Sequence, residues 1–270
     1  VHIPLYWRIC AIVHICNSCS ALEKTDSNLK NTMKKAIIIG GTSGIGRGLA
    51  EILIDNDWTV GITGRRTELL NKIKENSENR ILIQEHDITE INNSDEKMES
   101  LFSQLKVVDL VVVSSGVSEL NQELDWKTEN KVIETNVNGI AKVYEFMFSK
   151  FKKQGFGHLV GISSIASLRG NRYCPSYSAS KAFQANYLEA LRCIAKNEKL
   201  DIKITDVQPG FVDTPMAKGD GIFWIASVKK ASNQIYSAIL KRKRKVYITK
   251  RWRLIVWIMK IAPSWVLEKM

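Results

Sequence analysis

Residues 36–46 read AIIIGGTSGIG, a short apolar run followed at once by a glycine-rich loop. The run Ala36–Ile39 is typical of a strand that is buried on both faces. Gly40, Gly44 and Gly46 allow a tight turn after this strand and a close approach of the backbone to a pyrophosphate. The apolar spacing that follows predicts a helix whose free N–H groups would point at the anion. The stretch therefore predicts the first strand, phosphate-binding loop and helix of an α/β fold.

The rest of the chain alternates between apolar runs and amphipathic segments. Such alternation predicts a parallel sheet with helices on both faces, and we see no repeat or linker that would divide it. Further strands are expected at Trp58–Ile62, Arg80–Gln84, Val108–Val113, His158–Ile162, Ile202–Val207 and Val246–Thr249. After the first helix, which begins near Ile45, helices are expected at Glu68–Glu75, Ser94–Leu105, Trp126–Phe151, Ser176–Asn197 and Ile225–Leu240.

Composition limits the classes of partner. The chain has 270 residues and a net charge of +11. Its last thirty residues contain ten Lys/Arg and one Glu, so most of this charge lies there. The remainder holds 29 basic and 27 acidic residues and is nearly neutral. This distribution argues against a nucleic-acid-binding core and favours an anionic partner for the tail, most simply a membrane surface.

The first 32 residues do not follow the strand–helix pattern. Ile3–Cys16 is apolar, but Pro4 and Arg8 interrupt it, and it is too short for a spanning helix and lacks signal-peptide features. We expect residues 1–32 to be a poorly ordered extension of a domain over 33–250. The alternative is a hydrophobic surface anchor.

The five cysteines do not form a disulfide pattern. Cys10, Cys16 and Cys19 crowd the N-terminus, whereas Cys174 and Cys193 lie far away. The odd count favours reduced thiols and a cytoplasmic protein. The N-terminal three could be drawn with a nearby histidine as a zinc site, but no second ligand pair follows, so we expect no metal.

A second informative stretch is the pair Tyr177 and Lys181, which share one face of a predicted helix. A free phenol has a pKa of about 10, and a fixed ammonium nearby favours the phenolate. Tyr177 could therefore exchange a proton near neutral pH, with Ser164 brought beside it from the end of an apolar strand. The alternative is a core-facing aromatic with a snorkelling lysine.

The end of the second strand indicates the cofactor. An acidic residue there would bind an adenosine ribose, whereas an arginine accommodates a 2′-phosphate. Arg65 and Arg66 stand there without a carboxylate, which favours NADP(H) over NAD(H); alternatively they begin a solvated helix. Asp87 and Ile88, after the third strand, could receive the adenine amino group, or Asp87 could cap a turn.

In this order the motifs resemble the short-chain dehydrogenase/reductase family, over about Lys34–Tyr247. The resemblance implies a Rossmann-type doubly wound parallel sheet in a single domain, and NAD(P)-dependent carbonyl reduction or alcohol oxidation. It rests on the glycine loop and on Asp87, Asn136, Ser164, Tyr177, Lys181, Pro209, Gly210 and Thr214.

The resemblance also implies roles for these residues. Tyr177 would protonate the carbonyl oxygen as hydride arrives, Lys181 would lower its pKa, and Ser164 would hold the substrate oxygen. Asn136 would hold a water that connects Lys181 to solvent. The expected cofactor contacts come from the loops at the ends of the strands and from the Tyr177 helix. They are Gly40, Thr42, Ser43, Gly44, Ile45, Gly46, Arg65, Arg66, Asp87, Ile88, Gly116, Tyr177, Lys181, Pro209, Gly210, Val212 and Thr214.

Two departures from the family pattern concern the sheet rather than the chemistry. Val113-Ser114-Ser115-Gly116 stands where the family often has Asn-Asn-Ala-Gly, so the side-chain amides that would brace the sheet are missing, and the Ser114 and Ser115 hydroxyls could replace part of that network. Ile39 replaces a usual threonine. Both changes bear on rigidity and efficiency more than on reaction type.

The last segments concern substrate and partner. Residues 215–226 are apolar and are expected to cover a hydrophobic substrate, or else to be helix core. In the tail, 251–270, the apolar stretch is broken by Lys260 and Pro263 and is too short to span a bilayer. It suits a helix lying on an anionic membrane, at the inner face; alternatively it packs on another subunit of a homodimer or homotetramer, or is a solvated tail.

We therefore predict an NADP(H)-dependent oxidoreductase that interconverts a ketone or aldehyde and an alcohol on a hydrophobic small molecule. The alternative is a non-catalytic NAD(P)-binding regulatory module. Such a module needs no proton relay, so Asn136, Ser164, Tyr177 and Lys181 argue against it. A nucleic-acid partner lacks any recognition motif.

Overall fold

The computed structural model describes residues 34–75, 77, 80–217, 223–263 and 265. The extension or anchor predicted at 1–32 and the cysteines there lie outside the described residues. The domain boundaries at residues 33 and 250 remain predictions.

Within the described residues, seven strands form one parallel sheet in the order β3-β2-β1-β4-β5-β6-β7. The order reverses between β1 and β4, which in doubly wound sheets is where ligands bind, outside the carboxyl ends of the strands. The predicted Rossmann-type fold is confirmed. The strands are β1 (Lys35–Ile39), β2 (Thr59–Gly64), β3 (Ile81–Glu85), β4 (Leu110–Val113), β5 (Phe156–Ile162), β6 (Asp201–Pro209) and β7 (Lys245–Ile248).

Helices cover both faces of the sheet, as predicted. Their ends differ from the sequence prediction by a few residues; for example, the helix expected from Ile225 begins at Val228, where the Ser227 hydroxyl accepts from the Lys230 N–H. The described helices are α1 (Gly44–Asp55), α2 (Thr67–Glu75), α3 (Ile91–Leu105), α4 (Trp126–Ile133), α5 (Ile140–Gln154), α6 (Pro175–Asn197), α7 (Val228–Leu240) and α8 (Trp252–Ile261).

One predicted helix is wrong in detail. The segment expected as a single helix over Trp126–Phe151 contains a π-helical turn at Glu134–Gly139, between α4 and α5. A Cβ at Gly139 would lie 2.6 Å from the carbonyl oxygen of Ile88, so the glycine lets this turn approach the end of β3. Single π turns in longer helices occur frequently at functional sites, and this one carries Asn136.

The core consists of two apolar layers, one on each face of the sheet. In β1, Ile37 and Ile39 belong to the layer formed with α3, α5 and α6, whereas Ile38 belongs to the layer formed with α1, α2 and α7. All three side chains are fully buried. Strands buried on both faces read as continuous apolar runs, which is why the sequence revealed them.

A buried histidine on β5 makes the stability of this sheet depend on pH. The His158 Nε2 lies 2.8 Å from the Thr205 hydroxyl of β6, and that hydroxyl donates its proton to the Lys243 carbonyl. The ring must therefore donate from Nε2, which it does in the neutral form as well as in the charged one. Burial, with Arg242 and Lys203 adding repulsion, lowers the pKa of His158 from 6.5 to about 4.

We expect acid to destabilise the fold through this residue. Between about pH 7 and pH 5 the unfolded chain takes up a proton that the folded chain does not, so unfolding should become easier by about 2 kcal/mol. His158→Gln keeps a donor for Thr205 but does not titrate. Urea unfolding at both pH values gives the free energy of unfolding, whose loss on acidification should be smaller in the variant by that amount. The buried His86, whose pKa is also lowered to about 4, contributes equally to the losses of the two proteins. Equal losses in the two proteins would contradict the prediction.

Candidate active site

Three of the predicted catalytic side chains meet beyond the carboxyl end of β5. Ser164 follows β5 and opens a short 3-10 helix (Ile165–Leu168), whose Ala166 N–H donates to its hydroxyl at 3.1 Å. Tyr177 lies in the first turn of α6, close enough to the Ser164 side chain for that hydroxyl to affect the tyrosine pKa. The Lys181 Nζ lies 5.8 Å from the centre of the Tyr177 ring. The structure thus brings together residues that are far apart in sequence.

The Tyr177 hydroxyl is held in its protonated form. Burial raises the pKa of Tyr177 above its ordinary value, the Ser164 hydroxyl opposes this, and the nearby Cys174 thiol adds to it. The pKa of Tyr177 was expected below its ordinary value and instead lies above it, because removal of the phenol from water is the largest effect. A neutral phenol at this position can donate a proton.

The Lys181 ammonium is buried, with 3% of the residue exposed. Its Nζ donates to the Ile162 carbonyl at 3.0 Å and to the Gln184 side-chain oxygen at 2.9 Å. Burial lowers the pKa of Lys181 to about 8, and the negative charge of Asp206 opposes the shift. The charged form therefore still predominates at neutral pH.

The predicted Asn136 lies in the π turn with its side chain fully used. Its Nδ2 donates to the Val117 carbonyl at 2.8 Å and to the Ser180 hydroxyl at 3.1 Å, and its Oδ1 accepts from the Val117 N–H at 2.9 Å. The Asn136 main-chain carbonyl accepts from the Gln184 side chain at 2.8 Å. Gln184 therefore bridges the Asn136 backbone and Lys181. The water expected to connect Lys181 to solvent stays a prediction.

Sequence reasoning missed two polar residues of this site. Gln184 follows Lys181 by three positions, so helical spacing alone could have placed it beside the ammonium. Asp206 is a carboxylate in the interior of β6, a central strand of the sheet, and such a position is a signal of a buried partner. It accepts from the Ser163 hydroxyl and from Gln208 Nε2 at 2.7 Å, and burial raises its pKa.

The glycine loop has the shape that a phosphate requires. Gly40 and Gly44 have φ of +86° and +56°, and a Cβ at Gly46 would lie 2.2 Å from the Gly40 carbonyl oxygen. Ser43, the residue before α1, makes no side-chain bond to the free N–H groups of that helix. Thr214 lies beside the loop: a Cβ at Gly44 would be 3.1 Å from its methyl group. The loop and the open helix end therefore fit a nucleotide pyrophosphate.

The end of β2 gathers donors next to this loop. Arg66 Nη2 donates to the Thr42 hydroxyl at 2.8 Å and to the Ser43 hydroxyl at 2.9 Å. The Thr42 methyl lies over Gly64, where a Cβ would approach it to 2.6 Å. One guanidinium and two hydroxyls thus converge where a ribose phosphate would extend from the loop.

Asp87 takes the turn role that the sequence left open. Its Oδ1 accepts from the Thr89 N–H at 3.0 Å and from the Thr89 hydroxyl at 2.8 Å, while its Oδ2 lies 3.8 Å from Arg65. The adjacent Ile88 is buried. A polar cavity of about 180 Å³ opens here, lined by Arg65, Glu85, His86, Asp87, Glu90, Asn93 and Lys97.

The remaining predicted contacts lie on several elements, and their contact with a cofactor stays a prediction. Gly116 faces both key side chains, since a Cβ there would lie 3.3 Å from Asn136 Oδ1 and 3.5 Å from Lys181 Nζ. Pro209 ends β6, and Gly210 packs against the ring of Trp252. Ile45 lies in the first turn of α1, and buried Val212 pairs with Ala226.

Comparison with known sequences identifies the family. The family described as short chain dehydrogenase matches residues 34–221. An uncharacterized oxidoreductase of Myxococcus xanthus is 31% identical over 188 residues, covering 68% of this chain and 74% of the relative. A 3-oxoacyl-(acyl-carrier-protein) reductase of Chlamydia muridarum is 27% identical over 192 residues, covering 69% and 77%.

Solved structures share the fold. A short-chain dehydrogenase of Burkholderia cenocepacia in complex with NADP has a TM-score of 0.75 at 22% identity, covering 88% of this chain and 97% of that one. A 3-ketoacyl-(acyl-carrier-protein) reductase of Brucella melitensis complexed with NADH has a TM-score of 0.72 at 18% identity, covering 80% and 96%. With the family match over most of its length, this chain belongs to the short-chain dehydrogenase/reductase family of oxidoreductases.

Proposed function

We propose that this oxidoreductase is an NADPH-dependent reductase of ketones or aldehydes, with Tyr177 as the proton donor. One observation carries the proposal: the Tyr177 ring lies beside Ser164 with its centre 5.8 Å from Lys181 Nζ, and burial raises the pKa of its hydroxyl. The glycine loop that fits a pyrophosphate lies at the same edge of the sheet. A regulatory module that only binds the cofactor is not favoured, because it has no use for a buried ammonium beside a phenol.

The side chains of the site divide the work of reduction. The bound nicotinamide cofactor supplies the hydride. The Ser164 hydroxyl holds the substrate oxygen beside Tyr177, whose O–H protonates that oxygen as negative charge develops on it. The phenolate left behind is costly in a buried site, and the positive charge of Lys181 lowers that cost. In the oxidation direction the same phenolate accepts the alcohol proton.

Removing the Tyr177 hydroxyl should abolish the chemistry and spare the binding. We expect Tyr177→Phe to lower kcat for NADPH-dependent carbonyl reduction by ~10²–10⁴-fold, the usual contribution of a general acid. The measurement is NADPH consumption against carbonyls from small diketones to long-chain and polycyclic ketones, with nucleotide binding followed by fluorescence. Turnover undiminished in the variant would exclude Tyr177 as the donor, and no turnover in either protein would favour the regulatory module.

We propose NADP(H) over NAD(H) because of the groups at the end of β2. The Arg66 guanidinium held on the Thr42 and Ser43 hydroxyls offers a cationic donor set for a 2′-phosphate, and the adjacent Arg65 lies 3.8 Å from Asp87. Structures with the same fold have been solved with NADP, among them ElxO, and also with NADH. The local arginines are therefore the argument for this chain.

The cofactor preference should depend on Arg66. We expect Arg66→Met to raise the KM for NADPH by about 10- to 100-fold, since a hydrogen bond to a charged group contributes about 1.5–3 kcal/mol, and to change the KM for NADH little. Arg244→Met, an exposed arginine at the opposite edge of the sheet, is the matched control. A parallel rise for both cofactors would show that Arg66 only shapes the loop.

We propose a lipophilic substrate from the aromatic cluster beside the site. Phe211, which follows Gly210, contacts Phe223 and Trp252, with ring centres 5.9 and 5.6 Å apart. Trp224 completes the cluster at 5.7 Å from Trp252, and residues 223–225 remain exposed to different degrees. Such a cluster offers apolar surface for a hydrophobic molecule.

We further propose that α8 docks the enzyme on an anionic membrane. Among the described residues, no helix is long and apolar enough to cross a bilayer. Trp252 and Val256 of α8 are buried, whereas Leu254, Trp257, Ile258 and Ile261 form an exposed apolar face. Its ends carry the exposed basic residues Lys250, Arg251, Arg253 and Lys260, a combination that suits an anionic bilayer surface.

Binding to vesicles should depend on this face. We expect Trp257→Glu to weaken co-sedimentation with phosphatidylglycerol vesicles by about tenfold or more, because a large side chain can no longer be buried in the bilayer. Leu240→Glu, also exposed but in the segment that precedes β7 rather than follows it, should bind normally, and phosphatidylcholine vesicles should bind none of the proteins.

The family also suggests a homodimer or homotetramer, and the same variant tests the competing role of α8. Light scattering of Trp257→Glu should show the assembly of the wild type. The membrane proposal would be overturned if Trp257→Glu formed a smaller assembly and either the wild type did not bind vesicles or the variant bound them equally well. This face would then be assigned to subunit contact.

A further inference from the structure

Gln184 is a buried amide between Lys181 and the π turn that carries Asn136. It lies one turn after Lys181 on α6, with 1% of the residue exposed. Its Oε1 accepts from Lys181 Nζ at 2.9 Å, and its Nε2 donates to the Asn136 carbonyl at 2.8 Å. The side chain therefore joins the ammonium on α6 to the backbone of the π turn.

The orientation of this amide is fixed by its partners. Turning it over would place the NH₂ group against an ammonium and the oxygen against a carbonyl, which are two repulsive contacts. The Gln184 oxygen consequently always faces Lys181. A neutral acceptor with a fixed direction can hold a cation in place without neutralising it.

The donors of Lys181 are nearly all assigned by these contacts. An ammonium has three N–H groups, and the Ile162 carbonyl and Gln184 take two of them. The third remains for the side of the site where Tyr177 and Gly116 lie. Holding two donors thus determines where the third can point.

We propose that Gln184 is a positioning residue for proton transfer, whose amide anchors the Lys181 ammonium to the Asn136 backbone and so keeps it charged and aimed at Tyr177. This inference rests on the proposed roles of Tyr177 and Lys181. The ionisable groups that face Lys181 are Tyr177 on its own helix and Asp206 on β6. Neither of them is altered in the variants below.

Two substitutions should move the titration of Lys181 in opposite directions. Gln184→Met has a similar length but removes the acceptor, so the charged form loses a hydrogen bond and the lysine pKa should fall by about one unit. Gln184→Glu places a carboxylate beside the ammonium, so that pKa should rise. A role in packing alone predicts no such opposite shifts.

The direct measurement is NMR titration of the lysine ¹³Cε signals in the full chain without added nucleotide. The signal missing from Lys181→Met identifies Lys181, whose midpoint should lie near pH 8 in the wild type. Gln154→Met is the matched control, because Gln154 also bridges backbone groups, at Val108 and Phe156, but away from the site. Its Lys181 titration should be that of the wild type.

The second measurement is the pH dependence of kcat in NADPH-dependent reduction. In Gln184→Met we expect the midpoint of the alkaline limb to shift to lower pH and kcat to fall by ~10-fold or more. In Gln184→Glu we expect that midpoint to shift to higher pH. Midpoints unchanged in both variants, or shifted in the same direction, would overturn the inference. If Gln184→Met does not fold, the Gln184→Glu titration decides alone. Retained turnover in Tyr177→Phe would instead count against the proposed function, and the NMR result does not depend on it.

Discussion

The buried ammonium of Lys181 is the constraint on which the active end of the sheet depends. A charge removed from water is tolerated only where fixed partners replace the solvent, and a buried cation left without them is strongly destabilising. Here the partners come from separate elements: the Ile162 carbonyl ends β5, Gln184 lies on α6, and Asp206 lies in β6. Keeping one lysine charged therefore holds three elements in register beside the site.

The π turn extends this arrangement to the far side of β4. The Asn136 side chain pairs with both backbone groups of Val117, much as a neighbouring strand would, and so fixes the chain just beyond Gly116. Its carbonyl accepts the Gln184 amide, which links that segment back to Lys181. The missing family asparagines before Gly116 leave this pairing intact, because it uses the backbone of Val117 and the side chain of Asn136.

The sequence predicted the parts of the molecule that a repeating pattern encodes. The continuous apolar run of β1, the glycine loop and the spacing of Tyr177 and Lys181 each follow from local geometry. The π turn could not be foreseen: Glu134–Gly139 is rich in weak helix formers, but the apolar periodicity on either side predicts one continuous helix. The partners of Asp206 could not be identified because they come together only in the folded sheet, whereas the helical spacing from Lys181 already pointed to Gln184. The pKa of Tyr177 was predicted in the wrong direction because the sequence names a charged neighbour but does not report burial, which dominates here.

The C-terminal helix is attached to the same site by two independent contacts. Trp252, at its start, packs on Gly210 after β6, where a Cβ would lie 2.1 Å from the ring. At its end, Arg169 Nε, just beyond the 3-10 helix that Ser164 opens, donates to the Met259 carbonyl at 3.0 Å. Both contacts attach α8 to segments that carry residues of the site, so the proposed docking of its exposed face would bring a membrane surface near that site. If this face rests on a bilayer, a lipophilic ketone could pass from the membrane to Ser164 and Tyr177 across the aromatic cluster without entering bulk water.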